Sequence, residues 1–203
     1  MHISEGVLSA PVLLTGAVAT TMGVIIGLKQ LSAEKIPQVA LLSAAFFVAS
    51  LVHVPLGPSS VHLILNGLIG MILGWLSFPA LLVALFLQAI LFQFGGLTTL
   101  GVNTFNMAFP GVVVYYLFRP WIKERASLIS SIGAFLAGAL GVLLAGIFVA
   151  LELSFTGENF RSAAKLILMA HLPIMIIEGI VTILIVGFLQ KVRPEILWKE
   201  AKE

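Results

Sequence analysis

Apolar residues come in long blocks along this chain, with polar residues confined to short breaks between them. A helix needs ~20 apolar residues to cross the hydrocarbon core of a bilayer, with a usual range of roughly 17–25. On that ruler the pattern predicts seven spans, at 9–28, 38–54, 60–77, 79–94, 104–118, 127–151 and 164–190. The third, fourth and fifth are short or crowded together. Between the fourth and fifth lies Gly95-Gly96-Leu97-Thr98-Thr99-Leu100-Gly101, which is uncharged and rather apolar. Irregular backbone at membrane depth is tolerated only where protein or a cavity covers it, so this run is expected to fold back into the bundle. The tail from Lys191 reads as a short interfacial helix with Trp198 at headgroup level. The predicted fold is all-α: one integral membrane helical bundle over 1–203, with 1–8 as an N-terminal loop and 191–203 as a tail. Small residues four apart (Gly23 and Gly27, Gly70 and Gly74, Ala134 and Gly138, Ala137 and Gly141) predict close helix packing inside it.

Charge adds direction. With the N-terminus outside, nine of the eleven cations face the cytoplasm: Lys29, Lys35, Arg119, Lys123, Arg125, Lys191, Arg193, Lys199 and Lys202. Only Arg161 and Lys165 fall outside, and the reverse orientation breaks the positive-inside rule. The expected topology is N-out and C-in, a multi-pass membrane protein. Met1, His2, His53, His62, Asn103 and Asn106 then share the outward face. A site that collects something from outside is the inference.

Composition agrees and excludes much. Of the 203 residues 60% are hydrophobic and 10% charged, with mean hydropathy +1.13, whereas a soluble domain carries about 25% charged residues. The net charge of +2 is too small to argue for nucleic acid. No cysteine is present, which removes disulfides, thiolate metal sites and thiol catalysis. A secretory leader wants Lys or Arg ahead of its apolar core; here Glu5 is the only charge there and Lys29 the first cation. The expectation is a terminus retained with Met1 in place.

Met1-His2 is the first candidate for chemistry. A free α-amine, a backbone amide and an imidazole on adjacent atoms are three nitrogens that can close on one metal ion. The amine and the His2 amide nitrogen span a five-membered chelate ring, and that amide nitrogen and His2 Nδ1 a six-membered one. His62 can supply a fourth nitrogen, and four nitrogens in a plane suit Ni(II) or Cu(II). The alternative for His2 is a polar residue on a frayed terminus. His53 and His62 flank a turn made by Pro55, Gly57 and Pro58. His53 reads as a hydrogen-bonded residue at a helix end, and His62 as a ligand pointing into the bundle. Asn103 and Asn106, one helical turn apart, are candidates to orient metal-bound imidazoles, or, for Asn103, to cap the following helix. His171 and Glu178 are seven apart on one face of the last span. Ionisable residues inside a membrane are functional candidates by default; this pair reads either as a staple of the bundle or as a proton path. The chain has no HExxH helix, no GxxxxGK[ST] loop and no Gly-x-Ser-x-Gly elbow, so the usual zinc-peptidase, P-loop ATP and serine-hydrolase chemistries are missing.

Four stretches together resemble a known family: Met1-His2-Ile3-Ser4-Glu5-Gly6; Gly57-Pro58-Ser59-Ser60-Val61-His62; the run Gly95 to Met107 with Asn103 and Asn106; and His171-Leu172-Pro173-Ile174-Met175-Ile176-Ile177-Glu178-Gly179. They are similar to the substrate-specific membrane subunit of energy-coupling-factor nickel and cobalt importers, the CbiM/NikM family, across essentially the whole chain. The resemblance implies that loop 1–8 folds into the bundle and binds the metal through the Met1 amine, the His2 amide and imidazole, and His62. Glu5, Ser59, Ser60, Asn103 and Asn106 then support the ligands or anchor the loop. It implies partners: a transmembrane coupling subunit, two cytoplasmic ATPases that do the ATP hydrolysis, in some systems a small accessory membrane subunit, and the lipid around them. No cofactor is expected beyond the transported Ni2+ or Co2+, and cobalamin biosynthesis is the setting for cobalt. Some members carry a histidine just before the Gly-Gly of the 95–103 loop; here that place is Gln93-Phe94, so no additional capture histidine is expected there. Two rivals stand beside this reading. One is a proton-coupled secondary cation transporter or channel using Glu178 and His171. The other is an intramembrane metal enzyme with Glu5 as its water-activating carboxylate.

Overall fold

The computed structural model of the chain describes residues 2–51, 53–56, 59–122 and 127–198; within it, the side chains of 53–56, 59–61 and 198 are left undescribed. Helix α1 covers Ala10–Lys29, α2 Ile36–Ala49, α3 Asn66–Leu73, α4 Ser77–Phe92, α5 Leu100–Phe118, α6 Leu128–Thr156, α7 Arg161–Val192 and the one-turn α8 Glu195–Trp198. A two-stranded antiparallel hairpin, β1 (His53–Leu56) and β2 (Ser59–His62), lies between α2 and α3. Local chemistry accounts for several ends. Pro11 occupies the first turn of α1, where its missing N–H costs nothing. Ser127 caps α6 by accepting from the Ser130 N–H at 3.1 Å.

The chain is a multi-pass membrane protein. Among the described residues, four helical runs are long and apolar enough to cross a bilayer: Ala10–Lys29, Asn66–Phe92, Leu128–Thr156 and Glu158–Val192. Their apolar side chains cover the outside, with Leu14, Val18, Met169 and Leu184 at least 60% exposed.

Two expected spans change character. The block 60–77 is not one helix: β2 takes its start, α3 is only eight residues, and a 3₁₀ turn at Gly74–Leu76 follows, with Gly74 at φ +55°. Eight helical residues rise about 12 Å, short of a bilayer by themselves, and α3 is a buried segment long enough to cross only in continuation with α4. The second helix stops at Ala49 rather than at 54, because the chain turns into the hairpin. Prolines and glycine at 55–58 favour that turn over helix. The expected tail helix is the single turn α8, since α7 continues through Val192; the Gln38 amide reaches the Ile196 carbonyl at 3.5 Å.

Helix α5 is the axis of the bundle, packed by α1, α3, α4 and α6. The small-residue pairs serve internal packing, as expected. A Cβ on Gly70 would sit 2.2 Å from the Gly111 Cα, and one on Gly67 2.2 Å from the Ala137 carbonyl oxygen, so α3 lies backbone to backbone against α5 and α6. This arrangement brings residues 2–9, the hairpin, the 93–99 loop and the α6–α7 turn to one end of the bundle.

Candidate metal centre

The N-terminal segment enters the bundle and is tied there by backbone bonds. Ile3 is fully buried. Its N–H donates to Asn103 Oδ1 at 2.9 Å, and its carbonyl accepts from Asn103 Nδ2 at 3.1 Å and from Thr99 Oγ1 at 3.0 Å. The Glu5 N–H donates to the Gly95 carbonyl at 3.2 Å, and the Glu5 carboxylate accepts from the Thr98 N–H at 3.1 Å. Glu5 thus anchors the loop. Gly96 leaves it room: a Cβ there would lie 1.8 Å from Glu5 Cγ.

These straps place two imidazoles together. His2 is 5% exposed and His62 2%, and their ring centroids are 4.7 Å apart. Hydrogen-bond partners assign the nitrogens. Gln88, fully buried in α4, donates its amide N–H groups to the Phe47 carbonyl at 3.0 Å and to Ser50 Oγ at 2.5 Å. The Ser50 hydroxyl spends its own proton on the Phe46 carbonyl at 2.7 Å, so it must accept from Gln88. That turns Gln88 Oε1 toward His2 Nε2, at 2.9 Å. A carbonyl oxygen only accepts, so Nε2 carries the proton and Nδ1 the lone pair. The same logic acts on His62. Its Nδ1 lies 2.8 Å from the Leu63 carbonyl, which puts the proton on Nδ1 and the lone pair on Nε2. One nitrogen of each ring is thus fixed as a donor, Nε2 of His2 and Nδ1 of His62, and in the neutral imidazole the lone pair lies on the other.

The remaining candidates divide. Asn103 grips the Ile3 backbone; it neither orients an imidazole nor supplies a side-chain cap, since α5 starts after Thr99 without one. Asn106 instead donates to Glu152 Oε2 at 2.6 Å. His171 and Glu178 form no joint network among the described residues. His171 Nδ1 faces the Ile167 carbonyl at 2.5 Å, while Glu178 accepts from the Ile64 N–H at 2.5 Å and the Leu65 N–H at 2.9 Å. His53 pairs with His62 through strand register. The side chains of His53, Ser59 and Ser60, and the whole of Met1, lie outside the described residues. Among the described residues no group of three or more His, Cys, Asp or Glu could hold a metal.

Gln88, a polar residue within an expected span, was not among the candidate site residues, and it is the hydrogen-bond partner of His2. Its signal was present: it is the one polar side chain between Ser77 and Gln93, in an otherwise apolar helix.

Comparison with known proteins follows the same line. Residues 2–196 match the family model described as CbiM, cobalt uptake substrate-specific transmembrane region. A putative metal transport protein of Haemophilus influenzae is 45% identical over 202 residues, covering 97% of each chain. A putative fused nickel transport protein NikMN of Archaeoglobus fulgidus is 29% identical over 208 residues, covering 99% of this chain and 69% of that one. A crystal structure of a transition metal transporter superposes with TM-score 0.77 at 31% identity, over 95% of this chain and 93% of that one.

Proposed function

The chain belongs to the CbiM family of cobalt and nickel transport proteins, and we propose that it is the substrate-capturing membrane component of an ATP-driven energy-coupling-factor importer for Ni2+ or Co2+. The observation that carries this reading is the buried His2–His62 pair, 4.7 Å between ring centroids, with one nitrogen of each ring turned to a carbonyl oxygen. The Met1 amine and the His2 amide nitrogen complete a four-nitrogen set. The chelate needs Nδ1 of His2, since only Nδ1 closes a six-membered ring with its own amide, and the Gln88 bond supports that tautomer. A planar nitrogen set favours Ni(II) over Co(II), which more often takes further ligands.

The substrate ion arrives from outside, loses most of its water and takes the four nitrogens in place of it. Ligation displaces protons from the amine and the amide, so binding is coupled to pH. The terminal strap on Asn103, Thr99 and Gly95 is both ligand and lid, and occupancy of the site orders it. A transmembrane coupling subunit and two cytoplasmic ATPases then drive inward release, with a small accessory membrane subunit in some systems; the fused nickel relative supports a multi-part transporter.

The test is metal content and visible absorption of the purified chain with an authentic Met1, beside His2→Ala and His62→Ala. About one nickel per chain with a square-planar spectrum, lost in both variants, is expected. Retention of nickel in either variant, or no nickel in the intact chain after loading, refutes this site.

A further inference from the structure

We propose that Glu178 is the positioning residue that holds His62 in the site, making the second ligand answerable to α7; the proposal rests on the metal-site reading above. Glu178 is fully buried, and its carboxylate accepts from two consecutive backbone N–H groups, those of Ile64 and Leu65. Leu65 Nα also lies 3.1 Å from the second carboxylate oxygen. These are the residues directly after His62 and Leu63. Leu63 in turn supplies the carbonyl that fixes the His62 ring through Nδ1. Four consecutive residues thus run from the carboxylate to the imidazole.

The clamped backbone is unusual in itself. Leu65 has φ +53° and precedes α3 in the left-handed region. A leucine holds that conformation only where its surroundings over-determine it, and the bonds to Glu178 do so. Glu178 is itself fixed on α7. Gly138 of α6 packs on its backbone, with a Cβ there falling 2.5 Å from the Glu178 carbonyl oxygen, and Thr182 donates to the same oxygen at 2.7 Å.

The two ligand limbs therefore hang from different helices. His2 is held by Gln88 of α4 and, through Gln88, by the end of α2; its strap is on α5. His62 is held by α7, which packs along α6 and touches β2, α3 and α8. A shift of α7 relative to α4 and α5 changes the distance between the two imidazoles directly.

A double-mutant cycle tests this on the full chain with an authentic N-terminus. Nickel affinity and visible absorption are measured for the native chain, Glu178→Gln, His62→Ala and the double variant. Metal-free thermal unfolding is read in parallel. Glu178→Gln removes the negative charge that both N–H groups face and turns the oxygen that faces Leu65 alone into a donor against the Leu65 N–H. It is expected to weaken nickel binding about 10–100-fold and to shift the absorption band. In the His62→Ala background, titrated with nickel in enough excess to populate the weak remaining nitrogens, the same change is expected to do nothing further, because the residue it positions is gone. An equal loss in both backgrounds, or native affinity in Glu178→Gln, overturns the proposal. If Glu178→Gln does not fold, Glu178→Asp takes its place in the same cycle, with a smaller loss confined to the His62 background. Failure of the native chain to bind nickel overturns the site reading itself, which separates the two.

Discussion

Replacing Gln88 with methionine removes one polar group from the His2 tautomer relay and keeps the side-chain length. Gln88 Oε1 accepts from His2 Nε2 at 2.9 Å in a fully buried setting. In the metal-bound state Nδ1 must keep its lone pair, so the proton stays on Nε2 and, in the variant, points at a thioether. A buried donor left without a partner costs about 1–3 kcal/mol. The metal-free protein escapes part of this by moving the proton to Nδ1, so the penalty falls mainly on the loaded state. At about 1.4 kcal/mol per decade, nickel affinity is expected to drop roughly 5- to 150-fold. The assay is a competition titration with a chromophoric chelator, with metal-free thermal unfolding alongside. Ser43→Ala is the control: its hydroxyl donates to the Ala80 carbonyl at 2.7 Å and joins α2 to α4 without touching His2. That variant is expected to lose about 1 kcal/mol of stability and no affinity. Nickel affinity in Gln88→Met within about twofold of native, well under a kcal/mol, would refute the tautomer argument.

Extending the N-terminus by residues that stay attached is expected to abolish nickel capture, read as metal per chain, because it removes the free amine and displaces His2. Asn103→Ala strips two bonds from the Ile3 backbone. A loss of about 1–3 kcal/mol in strap stability is expected, seen as faster amide exchange at residues 2–6 together with weaker nickel binding. Gly95→Ala places a Cβ 2.8 Å from Asn103 Nδ2 and 3.5 Å from His2 Cβ at φ +75°, whereas Gly6→Ala at φ +75° meets nothing within 4 Å. Both pay left-handed strain of about 1–2 kcal/mol, but only Gly95→Ala is expected to reduce nickel affinity as well. Lowering the pH is expected to weaken nickel binding in a titration series, since protons compete for the amine, the amide and the imidazoles.

Much of this was legible from the chain alone, for identifiable reasons. Hydropathy declares a membrane bundle because every backbone polar group in lipid must be satisfied within its own segment, which leaves helix as the local answer. Met1-His2 is readable because a chelate of adjacent atoms is a local property. Glu5 was expected to anchor the N-terminal loop, and its bond to Thr98 does so. The block 60–77 was misread because a short apolar run looks alike as strand, buried helix or span.

Partner choice was decided only in three dimensions. Asn103 was expected to orient an imidazole, cap its helix or anchor the loop; it holds the Ile3 backbone, one hundred positions away. Gln88 finds His2 across 86 positions, and Glu178 finds Leu65 across 113. Nothing local marks such pairs. A buried polar side chain must be satisfied by whatever donor or acceptor the packed helices bring to it. Sequence named the candidate ligand atoms; packing brought the His2 and His62 rings together and gave each ring nitrogen its hydrogen-bond partner.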